Sequence, residues 1–160
     1  MPAFQFLGGD HGRGLLESAL SSPRQTFGGR FLHRTIHDKA AALFRSLIKN
    51  HPLMDGNKRL ALTSVAVFFT LNRYLFYVSQ EEAIAFALKV ALSEGSSDLK
   101  EISRWLRRHS IRNDALLAMP IADQRRWFRN VPSQDLRHLL RLVQIPGEFR
   151  WQKPSFLENR

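Results

Sequence analysis

Residues 35–50 set Ile36, Ala40, Leu43, Phe44, Leu47 and Ile48 at helical spacing, with charged residues on the opposite face. This amphipathic stretch is cut at His51-Pro52, because proline disfavours the helical backbone in the residue before it. After a tight loop a second stretch, Asn57 to Asn72, is apolar on nearly every side. Such a helix belongs at the centre of a bundle, and Phe68, Phe69 and Leu71 are its expected core residues. A chain dominated by this pair is expected to be an all-α helical bundle around a central buried helix.

The remaining pattern fits that class. Gly14 to Leu20 read as a short first helix stopped by Ser21-Ser22-Pro23, and a polar loop follows through Gln25, Thr26, Gly28 and Gly29. Tyr74 to Val78 form a short extended stretch. Ser79 with Glu82 makes a capping box that opens a helix to about Leu92. Ser97 caps another over about Asp98 to His109, with Ile102, Trp105 and Leu106 facing inward. Residues 110–160 carry two weaker helical patterns, 122–129 and 133–144, and a proline-containing tail. About fifty residues make a poor independent core, so they read as an Arg-rich extension of a domain spanning 1–109.

The chemistry concentrates in His51-Pro52-Leu53-Met54-Asp55-Gly56-Asn57-Lys58-Arg59. A helix start offers unpaired backbone N–H groups and partial positive charge, which suit a phosphate. Gly56 allows close backbone approach to a ligand, and Asn57 can cap the helix and hold the loop. Lys58 and Arg59 oppose the helix dipole unless an anion sits among them. Asp55 suits Mg²⁺, which takes one or two carboxylates alongside phosphate oxygens. His51 is the loop residue fit to accept a proton from an attacking hydroxyl near neutral pH.

Charge and composition narrow the field. The formal net charge is +10, distributed as +4 over residues 1–50, zero over 51–100 and +6 over 101–160. Of the 24 basic residues 18 are Arg, a bias toward forked pairing with phosphates and carboxylates. The chain has no cysteine, which excludes zinc fingers, thiol nucleophiles and iron–sulfur clusters. No stretch is long and apolar enough to span a membrane, and the first residues lack a basic, apolar signal pattern. A cytoplasmic protein is expected.

The loop resembles the signature of the Fic/Doc family, His-Pro-Phe-x-Asp/Glu-Gly-Asn-Gly/Lys-Arg, with Leu53 in place of Phe. The likeness extends through Gly14–Leu20, Lys39–Leu43 and Trp105–His109, and it covers about residues 8–109 in a form shortened at the N-terminus. Lys58 points to the death-on-curing, or Doc-like, branch. The resemblance implies a Fic/Doc-type helical bundle with a possible short β flap. It also implies His51 as general base, Asp55 as Mg²⁺ ligand, and Gly56, Asn57, Lys58 and Arg59 as the nucleotide-phosphate site. It makes Arg24, Thr26, Gly28 and Gly29 a flap that docks a target peptide. ATP or another NTP would donate a phosphoryl or AMP group to a target protein's hydroxyl, with a translation elongation factor as the family-based expectation. No intact inhibitory motif follows Ser97, so inhibition falls to an antitoxin partner or to self-association.

Weaker signals have plainer readings. His33 and His37 are four residues apart, a metal-ligand spacing, but without a third ligand they read as exposed or hydrogen-bonded. His11, His109 and His138 read as surface residues. Arg125, Arg126, Arg129, Arg137 and Arg141 suit a solvated helical face, and a nucleic-acid or acidic-partner surface is the second choice.

Overall fold

The computed structural model describes residues 5–93 and 99–127. The expected helix at 133–144, His138 and the Ser97 cap lie outside these. Helix α1 spans Asp10–Ser21 and runs into a 3₁₀ turn at Ser22–Arg24. A hairpin of β1 (Thr26–Phe27) and β2 (Arg30–Phe31) precedes α2 (Ile36–Asn50) and α3 (Asn57–Leu71). Strand β3 (Tyr74–Phe76), α4 (Gln80–Leu92), α5 (Leu99–Arg108), β4 (Ser110–Arg112), α6 (Asn113–Ala118) and α7 (Ile121–Trp127) complete it.

Helix α2 is the axle. Ala40, Ala41, Ala42, Leu43 and Phe44 are consecutive and all buried, so they cover the whole circumference, and Leu47 and Ile48 extend the burial. The three alanines let α1, α3, α4 and α5 approach closely, and all four pack on α2. Its start is fixed by a capping box. Thr35 Oγ1 accepts the Asp38 N–H at 3.1 Å, and the Asp38 carboxylate accepts the Thr35 N–H at 3.2 Å. The Ser103 hydroxyl also donates to Asp38 Oδ1 at 2.7 Å, fastening α5 to this end.

The expectation that α3 is the buried centre is therefore corrected. Its Ala61, Val65 and Phe69, four residues apart, form a buried stripe, but Val67 is 48% and Leu71 61% exposed. Periodicity could not find this, because an all-apolar helix conceals which face is covered. Helix α1 also starts earlier than Gly14, and Ser79 caps α4 by accepting the Glu82 N–H at 3.2 Å.

Aromatic rings fill the space between α2, α4 and α5. Phe86 stacks on Trp105 with centroids 4.0 Å apart and on Phe44 at 5.9 Å. His109 is a correction to the surface reading. Its ring packs on Trp105 at 4.4 Å, Nδ1 donates to Trp105 O at 2.8 Å, and Nε2 meets Glu82 at 3.0 Å. His37 is hydrogen-bonded through Nε2 to Ser110 Oγ at 3.0 Å.

Strands β3 and β4 pair antiparallel, with Leu75 opposite Ile111, so residues 110–112 are built into the same unit as the helices before them. Helix α6 places Leu116 over Leu75 in a small second core. The β1–β2 hairpin turns at Gly28 and Gly29, whose φ values of 56° and 75° are the left-handed pair that a two-residue hairpin turn requires. No helix of the described residues is long and apolar enough to cross a membrane.

Candidate active site

Helix α2 ends at His51, whose backbone is left-handed (φ 48°, ψ 56°) and whose residue is exposed. The chain then drops inward, burying Pro52 and Leu53, before Met54 and Asp55 return to the surface. Gly56 has φ 87° and acts as the N-cap of α3. A Cβ there would meet nothing but Arg59 side-chain atoms at 3.6 and 3.9 Å, so this glycine is required by backbone conformation.

Asn57 holds this shape without serving as a side-chain helix cap. Its buried side chain turns back into the loop: Oδ1 accepts the Leu53 N–H at 2.9 Å and Nδ2 donates to Leu53 O at 2.8 Å. Both contacts together fix which end of the amide is oxygen. The amide nitrogen also faces His51 Nδ1 at 3.4 Å. That contact is long, so it supports the ring from one side without locking its tautomer.

The charged residues gather at the mouth of α3. Asp55 Oδ1 accepts the Gly56 N–H at 2.6 Å, while Oδ2 faces Arg59 Nη2 at 3.4 Å across an exposed pair. The mouth already accommodates carboxylate oxygens between an N–H and a guanidinium. Lys58 is exposed and has no hydrogen bond or ion pair with the described residues. Asp55, Gly56 and Arg59 are thus brought together, Asn57 links the same loop to His51, and Lys58 follows in the first turn of α3. As a metal ligand, Asp55 is a single hard oxygen donor in the open. No group of three His, Cys, Asp or Glu that could hold a metal occurs among the described residues.

The flap residues stand apart from the loop in sequence but share its support. Arg24 closes the 3₁₀ turn that packs on α2, and Thr26, Gly28 and Gly29 form the exposed hairpin. Leu20, Ser21, Arg24, Gln25 and Thr26 line an open hollow of about 560 Å³ at its root. Sequence reasoning missed one contact. Residues 5–7 pair with the loop, Leu7 N–H donating to Pro52 O at 3.0 Å and Met54 N–H to Gln5 O at 2.9 Å. Such a pairing of irregular segments leaves no periodic trace in the sequence.

A helix start carrying Gly56, Lys58 and Arg59, entered from a helix that ends at His51, is an arrangement chemically suited to an anion such as phosphate. Residues 4–69 match the model of the Fic/DOC family. Among curated proteins it is similar to Toxin Doc of Mycolicibacterium smegmatis (strain ATCC 700084 / mc(2)155), 44% identical over 59 residues. The alignment covers 37% of this chain and 45% of that protein, so the chain spans less than half the length of the curated relative it matches. No solved structure matches the chain.

Proposed function

We propose that this chain is a Doc-like transferase that moves the γ-phosphoryl group of ATP, or of another NTP, onto a serine or threonine hydroxyl of a target protein. The observation that carries the reading is the loop between α2 and α3, where His51 closes one helix and Asp55, Gly56, Lys58 and Arg59 open the next. The match to the Fic/DOC family model over residues 4–69 and the similarity to Toxin Doc support it. A translation elongation factor is the target we favour, growth arrest the consequence, and an antitoxin the partner that restrains it.

The chain's own residues supply positioning and charge, the main demands of phosphoryl transfer. Lys58, Arg59 and the unpaired backbone N–H groups of the first turn of α3 hold phosphate oxygens, while the Gly56 N–H positions Asp55. His51 accepts the proton of the attacking hydroxyl. Asp55 would hold Mg²⁺, which supplies neutralisation of phosphate charge when bound. Lys58 puts bulk and charge in the first turn of α3, which favours the nucleotide orientation that presents the γ-phosphate rather than the α-phosphate.

The test is a pair of parallel reactions with α-labelled and γ-labelled ATP in a cell extract, using wild type and His51→Ala. Target labelling from the γ position, lost in a folded His51→Ala variant, is the expected result. Labelling from the α position would show AMP transfer instead. Labelling from neither would leave a basic binding module for nucleic acid or an acidic partner, whose binding must weaken steeply with salt.

A further inference from the structure

We propose that residues 5–7 are a positioning strap for the His51–Arg59 loop and that Gly12 is what allows the strap to seat. The inference rests on the transferase reading for its kinetic consequence, but its structural part stands separately. Residues 52–55 lie between helices, so their backbone groups need partners from elsewhere. Asn57 holds the loop from the α3 side through Leu53. The strap holds it from the α1 side: Leu7 N–H reaches Pro52 O at 3.0 Å, Met54 N–H reaches Gln5 O at 2.9 Å, and Phe6 opposes Leu53 in an antiparallel bridge. Leu53 is therefore clamped between two independent sets of bonds, and its neighbours His51 and Asp55 inherit their positions from that clamp.

The strap rests on α1 at one point with no spare room. A Cβ at Gly12 would lie 2.5 Å from Pro52 O, 2.7 Å from Leu7 N and 2.8 Å from Leu7 O. All three are backbone atoms, so no rotamer change relieves the overlap. Gly12 sits inside a regular helix and its φ is not positive, so the requirement is for space alone. The Arg13 guanidinium lies over the Phe6 ring at 5.7 Å, and Asn50 Nδ2 donates to Leu15 O at 3.2 Å. The first ties the strap to α1, and the second ties the end of α2 to the same helix. Gly12 and the strap act through the loop, as positioning elements.

The experiment compares Gly12→Ala, Leu7→Pro and Leu7→Ala with wild type in the full chain. Leu7→Pro deletes the N–H that binds Pro52, and the residue before it is already extended, as proline requires; Leu7→Ala keeps that N–H. Amide hydrogen exchange is read at Met54, with Phe44 and Phe69 as internal controls, beside kcat and KM for ATP in the labelling reaction. Gly12→Ala and Leu7→Pro are expected to lose Met54 protection by at least about tenfold with the controls unchanged. Their kcat is expected to fall roughly 10- to 100-fold while KM for ATP stays within about threefold. Wild-type protection at Met54 in either folded variant overturns the strap, as does an equal loss in Leu7→Pro and Leu7→Ala. If Gly12→Ala fails to fold, the Leu7 pair decides. A wild type that labels nothing would sink the transferase reading, and the exchange result would still judge the strap.

Discussion

Replacing Asn57 with alanine should destabilise the protein far more than its place in the first turn of a helix suggests. The substitution leaves Leu53 N–H and Leu53 O without their partners at 2.9 and 2.8 Å, in a residue that is 4% exposed. Each buried group left unpaired costs about 1–3 kcal/mol. Solvent can reach a loop this near the surface, so the lower half of that range applies and the pair costs about 2–4 kcal/mol. Alanine's better helix propensity returns only about 0.5 kcal/mol. The loss wins. At about 2–4 °C per kcal/mol for a chain of this size, the melting temperature should fall by about 5–10 °C in a circular-dichroism melt. Asn57→Asp should not restore it, since the second oxygen would face Leu53 O in place of a donor. A melting shift under about 2 °C for Asn57→Ala, or an Asn57→Asp variant as stable as wild type, would refute the reasoning.

Trp105→Ala removes the ring stacked 4.0 Å from Phe86 and should cost about 3–5 kcal/mol in urea unfolding. Replacing both Gly28 and Gly29 by alanine strains the two left-handed positions of the exposed hairpin. At about 1 kcal/mol or more for each strained position it should lower the melting temperature by about 4–8 °C and cut target labelling several-fold at unchanged KM for ATP. Stability should also fall in two acidic steps in a pH series of urea midpoints. Burial, aided by the Arg107 charge and opposed by Asp38, holds His37 below its ordinary value of 6.5, so the unfolded chain takes up that proton first and stability declines as pH drops below about 6.5. For Asp38, burial raises the carboxyl but the hydrogen bonds of Thr35 and Ser103 outweigh it and hold it below 3.8. Its contribution is present above that value and is lost as pH falls through the lower folded one, a step that Asp38→Asn should abolish.

The helices and the loop between α2 and α3 were legible because amphipathic period, proline and capping chemistry are local signals. The placement of His51, Asp55 and Gly56 at a helix boundary was readable from proline and glycine in the loop. What the sequence hid was relational. The run Ala40–Ala42 looks unremarkable until four helices are seen to converge on it, and nothing in the sequence marks Gly12 until its neighbours at 2.5–2.8 Å explain it. Asn57 was readable as a loop holder but not as the partner of Leu53, because that contact depends on the loop's inward dip. The β3–β4 pairing joins residues more than thirty apart, beyond the reach of any periodicity window.

Under the transferase proposed above, helix α2 couples packing to reactivity. Its last residue, Asn50, hands the chain directly to His51, and Phe44, seven residues earlier, lies only about 10 Å back along the axis. A rigid rod transmits axial slip undiminished, so a cavity that lets α2 slide by a fraction of an ångström at Phe44 shifts the histidine by the same amount. Selections for loss of activity should therefore recover small-to-large changes at Ala40–Ala42 among variants that still fold, in company with changes at the loop. For this chain, tolerance maps drawn from stability and from activity should diverge most along that single helix.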